Sequence, residues 1–209
     1  METISAMARK GSGKERLGEP TLTASDWAEA ALHLIAEKGL RALTVGALAT
    51  RLGVTKGSFY WHFHSRAELL AAALARWEQR ATTDAMRGLD AVTDDRRRLE
   101  LMLDAASQPP RSRSLYAALA EAAADPVVRR VLDRVASARI AYLQRCYTNL
   151  GFSPALAKSY AVVAYAAYRG LLQLAHEAPA ALPTDWSSYA DVTRTVLIPK
   201  RGTTNRSGR

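Results

Sequence analysis

The chain has 209 residues, 48% hydrophobic and 23% charged, a balance that excludes wholesale disorder, a collagen repeat and a small disulfide scaffold. Its 29 Lys and Arg against 20 Asp and Glu leave a formal charge of +9, which suits an anionic partner such as nucleic acid. The single cysteine, Cys146, excludes an intrachain disulfide and fits a reducing compartment. The amino end has no apolar signal segment and no stretch approaches the roughly 18 apolar residues of a membrane span, so a cytoplasmic protein away from the membrane is expected.

Residues 1–20 mix Gly, Ser, Lys, Arg and Pro without an apolar period and are read as a mobile basic arm. From Ser25, the expected N-cap of a first helix, Trp27, Ala31, Leu34 and Ile35 recur at helical spacing until Gly39 offers a stop. Thr44 caps a short helix, Val45 to Leu52, whose apolar face is Val45, Leu48, Ala49 and Leu52. Gly53 permits a tight turn, Val54 plugs the core, and a second short helix runs from Thr55 to Trp61. This is a helix-turn-helix: Ala49 is small where the helices cross, Gly53 can take a positive φ, and Phe59 anchors the second helix to the first. The exposed face of that second helix offers Thr55, Lys56, Ser58 and Tyr60, which can donate hydrogen bonds to phosphates or base edges.

An aromatic run, Phe59-Tyr60-Trp61-His62-Phe63, leads into the cap Ser65 and then Arg66, Glu68, Leu69 and Leu70. The segment Gly57 to Leu70, with Leu40 to Val54 before it, resembles the junction of the third and fourth helices of the tetracycline-repressor (TetR) family of transcriptional regulators. The strong resemblance covers Ala28 to Leu70; beyond it only the helical layout agrees. The resemblance implies that Thr44 holds a phosphate at a helix N-terminus, that Thr55, Lys56 and Ser58 face a major groove, and that Gly57 lets backbone approach DNA closely. It implies further that Tyr60 and His62 reach the DNA backbone and that Arg66 stands in place of a phosphate-contacting lysine. Phe59 and Phe63 are read as core, and Trp61 stays open between packing and a groove edge.

Further helices are expected at Ser65 to Thr83, Thr93 to Ser107, Ser112 to Ala123, Asp125 to Asn149, Ser153 to Glu177 and Asp185 to Ile198, with Asp125, Ser153 and Thr184 as caps and Pro126 and Pro154 at first helical positions. Arg96, Arg97 and Arg98 beside Asp94 and Asp95 read as a self-paired solvated face. Large side chains recur on these helices: Trp77, Met102, Tyr116, Tyr142, Tyr165 and Tyr168. The resemblance implies a small-molecule pocket between them, and few deep charges point to an apolar or aromatic effector. The helix from Ser153 has two apolar stripes, Leu156, Tyr160, Val163, Ala167 and Leu174 on one side and Ala157, Ala161, Ala164, Tyr168, Leu172 and Ala175 on the other. The alanine-rich one, with Trp186, Tyr189, Val192 and Val196 on the last helix, is the expected seam of a homodimer.

The expected protein is all-α: an N-terminal three-helix DNA-binding domain with a helix-turn-helix at 21–66, a larger C-terminal helical ligand-binding and dimerisation domain at 67–198, and a basic disordered tail at 199–209. No enzyme motif appears, no cofactor is called for, and His62 and His64 lack further ligands at metal-binding spacing. Its expected function is transcriptional regulation on double-stranded DNA with a palindromic operator, as a repressor released by a small-molecule effector. The alternative is a non-specific architectural DNA-binding protein, disfavoured by a recognition helix with one lysine.

Overall fold

A computed structural model describes residues 22–109 and 115–198. The expected basic arm and tail lie outside the described residues. Ten α-helices follow one another in that part, with no strand among the described residues.

α1 (Ala24–Lys38) begins two residues earlier than the sequence suggested. Thr23, not Ser25, is the N-cap: its hydroxyl accepts from the Asp26 N–H, and the Asp26 carboxylate accepts from the Thr23 N–H at 2.8 Å. This reciprocal capping box satisfies two otherwise orphaned donors, and the hydrogen bonds from Thr23 hold the Asp26 carboxyl below its usual range. Gly39, at φ 79°, ends the helix. A short 3-10 turn (Leu40–Ala42) leads to α2 (Val45–Leu52), capped by Thr44. Gly53 takes the left-handed conformation at φ 69°, where a Cβ would be strained, and the chain turns into α3 (Lys56–Phe59). α3 is one turn long, shorter than the helix expected to Trp61.

α4 (Arg66–Gln79) starts at Ser65, whose hydroxyl accepts from the Glu68 N–H at 3.1 Å while Glu68 accepts from the His64 N–H at 2.7 Å. It does not stop near Thr83. The helix passes through a π-turn (Arg80–Asp84) and continues as α5 (Ala85–Asp90). α6 (Asp95–Ala106), α7 (Leu115–Glu121), α8 (Pro126–Asn149), α9 (Pro154–Glu177) and α10 (Trp186–Leu197) complete the fold. Proline sits in the first turn of α8 and α9 behind the caps Asp125 and Ser153, where its missing N–H costs nothing. Asp185, rather than Thr184, caps α10 by accepting from the N–H groups of Ser187 and Ser188.

Two apolar clusters hold these helices. The first joins α1 to α4 with α7 and the front of α8: Trp27, Ile35, Leu48, Phe59, Leu74, Trp77, Leu119 and Val135 are among its members. The second joins α6, α8, α9 and α10 through Leu99, Tyr142, Cys146, Tyr147, Ala157 and Ala161. α8 enters both, and α8 against α9 is the most extensive helix pairing. Among the described residues no helix is long and apolar enough to cross a membrane.

Candidate nucleic-acid interface and internal cavity

The α2–α3 pair sorts its side chains by polarity. Phe59 and Phe63 are buried, with the Phe59 ring edge-on to Trp27 at 5.4 Å. Leu48 and Ala49 are buried beneath the crossing. Thr44, Thr55, Lys56, Gly57 and Tyr60 are exposed, as is Trp61 at 87%. Of the two readings of Trp61, packing into the core is excluded among the described residues: α1 to α4 close their core without the indole. An exposed Tyr60-Trp61 pair beside a short polar helix is an apolar and hydrogen-bonding edge available to a partner.

Geometry adds detail the sequence pattern lacked. The Lys56 stem lies across Gly46 in the first turn of α2, where an added Cβ would stand 3.1 Å from its Cε and 3.6 Å from its Nζ. The ammonium therefore sits by the capped start of α2, next to the Thr44 hydroxyl's turn. A lysine beside a helix N-terminus makes a place suited to an oxyanion. Ser58 donates its hydroxyl hydrogen to the Thr55 carbonyl at 2.8 Å, so its oxygen keeps only acceptor capacity for an outside partner. The Thr55 side chain makes no cap bond. His62 is half-buried.

Arg66 has a second task. Its Nε donates to the Leu43 carbonyl at 2.6 Å and its Nη2 to the Leu40 carbonyl at 3.1 Å. Those two carbonyls precede Thr44, so the first residue of α4 is fastened to the lead-in of α2. At its far end α4 is tied elsewhere: Arg134 of α8 grips Glu78 with two bonds of 2.7 Å, and Arg76 and Arg80 share Glu29 of α1 at 2.7 and 2.9 Å. Burial raises the Glu29 carboxyl, but the two arginines outweigh it and hold it below its usual range.

Past α4 a half-open cavity of about 320 Å³ lies between α4–α5, α6, α8 and α9. Met86, Leu89, Leu101, Met102, Tyr165 and Tyr168 supply most of the wall, and among the described residues Arg139 is the one charged residue in it. Of the six expected pocket residues, Met102, Tyr165 and Tyr168 line this space. Trp77, Tyr116 and Tyr142 do not. Trp77 packs edge-on against Tyr116 at 5.4 Å, and Tyr142 donates to Asp90 at 3.1 Å. Tyr116 is one step removed: its hydroxyl meets that of Tyr165 at 2.5 Å, and the Arg169 guanidinium stacks on its ring at 3.7 Å and donates to its oxygen. Burial and the Tyr165 hydroxyl push the Tyr116 phenol well above its ordinary range.

For its alanines the expected dimer seam is corrected. Ala157, Ala161 and Ala164 are buried inside their own chain, Ala164 at 4% exposure, in the apolar cluster that holds the large Tyr142 and Tyr147 of α8. Leu172 packs on the first apolar cluster and Tyr168 faces the cavity. Trp186 and Tyr189 are half-buried and packed edge-on at 5.8 Å. The other stripe faces out: Leu156, Val163 and Leu174 are exposed, as are Val192 and Val196 on α10. Bulk was the missed signal, since alanines fit where a neighbouring helix carries tyrosines.

An all-helical body with an exposed helix-turn-helix at its amino side is thus the class that fold and site define. Residues 28–73 match the model of bacterial regulatory proteins, tetR family. A 47-residue stretch is 40% identical to the HTH-type transcriptional regulator SrpR of Pseudomonas putida, covering 22% of this chain and 22% of that relative. A solved transcriptional regulator from Rhodococcus sp. Rha1 shares the fold at a TM-score of 0.70 and 23% identity, over 85% of this chain and 96% of that one. A transcriptional regulator from Saccharomonospora viridis, solved in complex with choline, does so at 0.64 and 22%, over 84% and 93%. Residues 28–73 thus carry the segment that the tetR family model describes, and the chain as a whole shares the fold of these solved regulators.

Proposed function

We propose that this protein is a DNA-binding transcriptional regulator that works as a homodimeric repressor and leaves a palindromic operator when a small molecule fills the cavity. The observation that carries the reading is the sorted α2–α3 pair: Phe59 and Phe63 inside, Thr55, Lys56, Tyr60 and Trp61 outside on one short segment. Thr44 and Lys56 take phosphate, Tyr60 and Trp61 meet the groove edge, and the exposed face of α3 reads bases. Arg66 keeps guanidinium hydrogens beyond its two carbonyl bonds and can serve the backbone as well.

The effector acts by population shift: a ligand moves the equilibrium only by its difference in affinity between the two forms. Tyr165 stands in the cavity wall, touches Tyr116, and Tyr116 touches Trp77 of α4. From Trp77 to Arg66 is about 16 Å along the helix, and Arg66 holds the lead-in to α2. A shift of α4 therefore carries the reading head as a unit. The choline bound by the S. viridis relative supports a small-molecule site in this fold. The outward stripe of α9, with Val192 and Val196 of α10, is the seam of the dimer: a two-fold axis places two copies of the pair face to face. Selection of genomic fragments on the purified protein, followed by competition with random DNA, tests the reading. Enrichment of a two-fold symmetric site that resists random competitor is expected; equal loss to any competitor returns the architectural alternative.

A further inference from the structure

Arg139 sits on α8 with its side chain in an otherwise apolar cavity wall. Its Nε donates to the Ala81 carbonyl at 2.8 Å, and its guanidinium carbon lies 5.6 Å from the centre of the Tyr168 ring. Its two Nη atoms make no hydrogen bond or ion pair with the described residues. Guanidinium hydrogens left unpaired at the edge of an apolar space are costly, and an arginine pairs best with a planar oxyanion. The Ala81 carbonyl belongs to the π-turn Arg80–Asp84, a distortion frequent at functional sites. Nε is thus fixed by backbone, which orients the remaining hydrogens rather than leaving a swinging cation.

Building on the effector reading above, we infer that the cavity takes a small amphipathic monoanion, a carboxylate on an aliphatic or aromatic body, with the carboxylate on the Arg139 Nη atoms and the body against Met86, Leu101 and Met102. This narrows the sequence-based expectation of an apolar or aromatic effector by adding a carboxylate to it. A cation is excluded by the same charge, since among the described residues no acid lines the space. The anion's seat is also the clamp on the π-turn, so charge delivered to Arg139 reaches the joint between α4 and α5 directly.

Isothermal calorimetry on the full chain tests this with hexanoate, decanoate, tetradecanoate and phenylacetate, the matching amides, and decyltrimethylammonium. The best acid should bind about tenfold to a hundredfold more tightly than its amide, as expected for charge-assisted against neutral hydrogen bonds. Arg139→Gln should bring the acid down to the level of the amide, Arg139→Lys should keep part of the preference, and Met102→Trp, which fills the cavity, should remove all binding. Melting of each unliganded variant checks that it is folded. An amide or the ammonium binding as tightly as the acid, or an acid preference that survives Arg139→Gln, overturns the anion inference and leaves the effector cavity standing. Binding by none of the probes, or binding unaffected by Met102→Trp, overturns both.

Discussion

The reading head and the body behind it treat polar side chains in opposite ways. In the head, caps close over three residues, Thr23 to Asp26, Thr44 to Ala47, Ser65 to Glu68, and Thr55, Lys56, Tyr60 and Trp61 are left exposed. In the body, polar groups turn inward and find partners far along the sequence: Tyr116 with Tyr165, Arg139 with Ala81, Tyr147 with the Leu197 carbonyl at 2.7 Å. A surface built to meet another molecule leaves its donors free. The body uses them at joints between helices.

The contrast is sharpest across one helix, α9, where neighbours in sequence face opposite worlds: Ala164 is 4% exposed and Val163 53%. Ala164→Glu should place a carboxylate in the cavity wall and destabilise the fold by several kcal/mol, the scale of an unpaired buried ion. Val163→Glu should leave the melting of the monomer nearly unchanged and break the dimer, seen by sedimentation at micromolar concentration. If Ala164→Glu instead gives a folded monomer, the inward assignment of the alanine stripe is wrong.

Within the head, Phe59 and Trp61 make the same comparison over two residues. Phe59→Ala removes a ring at the centre of the Trp27–Phe63 cluster and should cost about 3–5 kcal/mol. Trp61→Ala should change stability by no more than about 0.5 kcal/mol while weakening DNA binding, as fluorescence anisotropy would read. Equal melting of the two variants would contradict the sorting. Arg66→Ala comes next, with a loss of about 2 kcal/mol from two charged-donor hydrogen bonds. DNA affinity should fall with it even at salt concentrations that screen phosphate contacts, because the lead-in to Thr44 loosens.

Alkaline pH probes the body alone. Burial and Asp95 push the Cys146 thiol from 9.0 up to about 12, and burial also raises the Tyr116 and Tyr147 phenols above 10. Each group keeps its proton when folded and releases it when unfolded, so their stabilisation is whole below pH 9 and falls as pH rises toward the folded values. The slope approaches about 1.4 kcal/mol per pH unit per titrating group. Cys146→Ala should flatten the first part of that fall in melting curves taken from pH 8 upward. An unchanged slope would mean that the thiol titrates alike in both states.

Local chemistry made the head legible. Thr44, Gly53, Phe59 and Ser65 each do what their residue types favour at a cap, a turn or a core, and the cap partners of Thr44 and Ser65 lie three positions on. The body was legible as helices but not as surfaces. Two apolar stripes on α9 could be told apart only by the tyrosines that α8 presents, and Arg139 could be known as a cavity residue only once the π-turn had brought Ala81 beneath it. Ser25 was displaced as a cap by Thr23 because Asp26, not an acid three residues after Ser25, completes the box.

Lys56 carries the smallest expected effect and the finest test of the head as a surface with free donors. Its stem crosses Gly46 and its ammonium stands by the capped start of α2, with no ion pair to any described residue. Removing it should therefore cost the fold little, within about 0.5 kcal/mol, as for most surface substitutions. On DNA the lysine displaces a condensed counterion where it meets a phosphate, and Lys56→Ala should lower the slope of log affinity against log salt by about one unit. Specific and random duplexes should lose slope together if Lys56 meets only phosphate. A larger loss on the preferred site would place the ammonium on a base edge instead, and an unchanged slope on both would remove it from the interface.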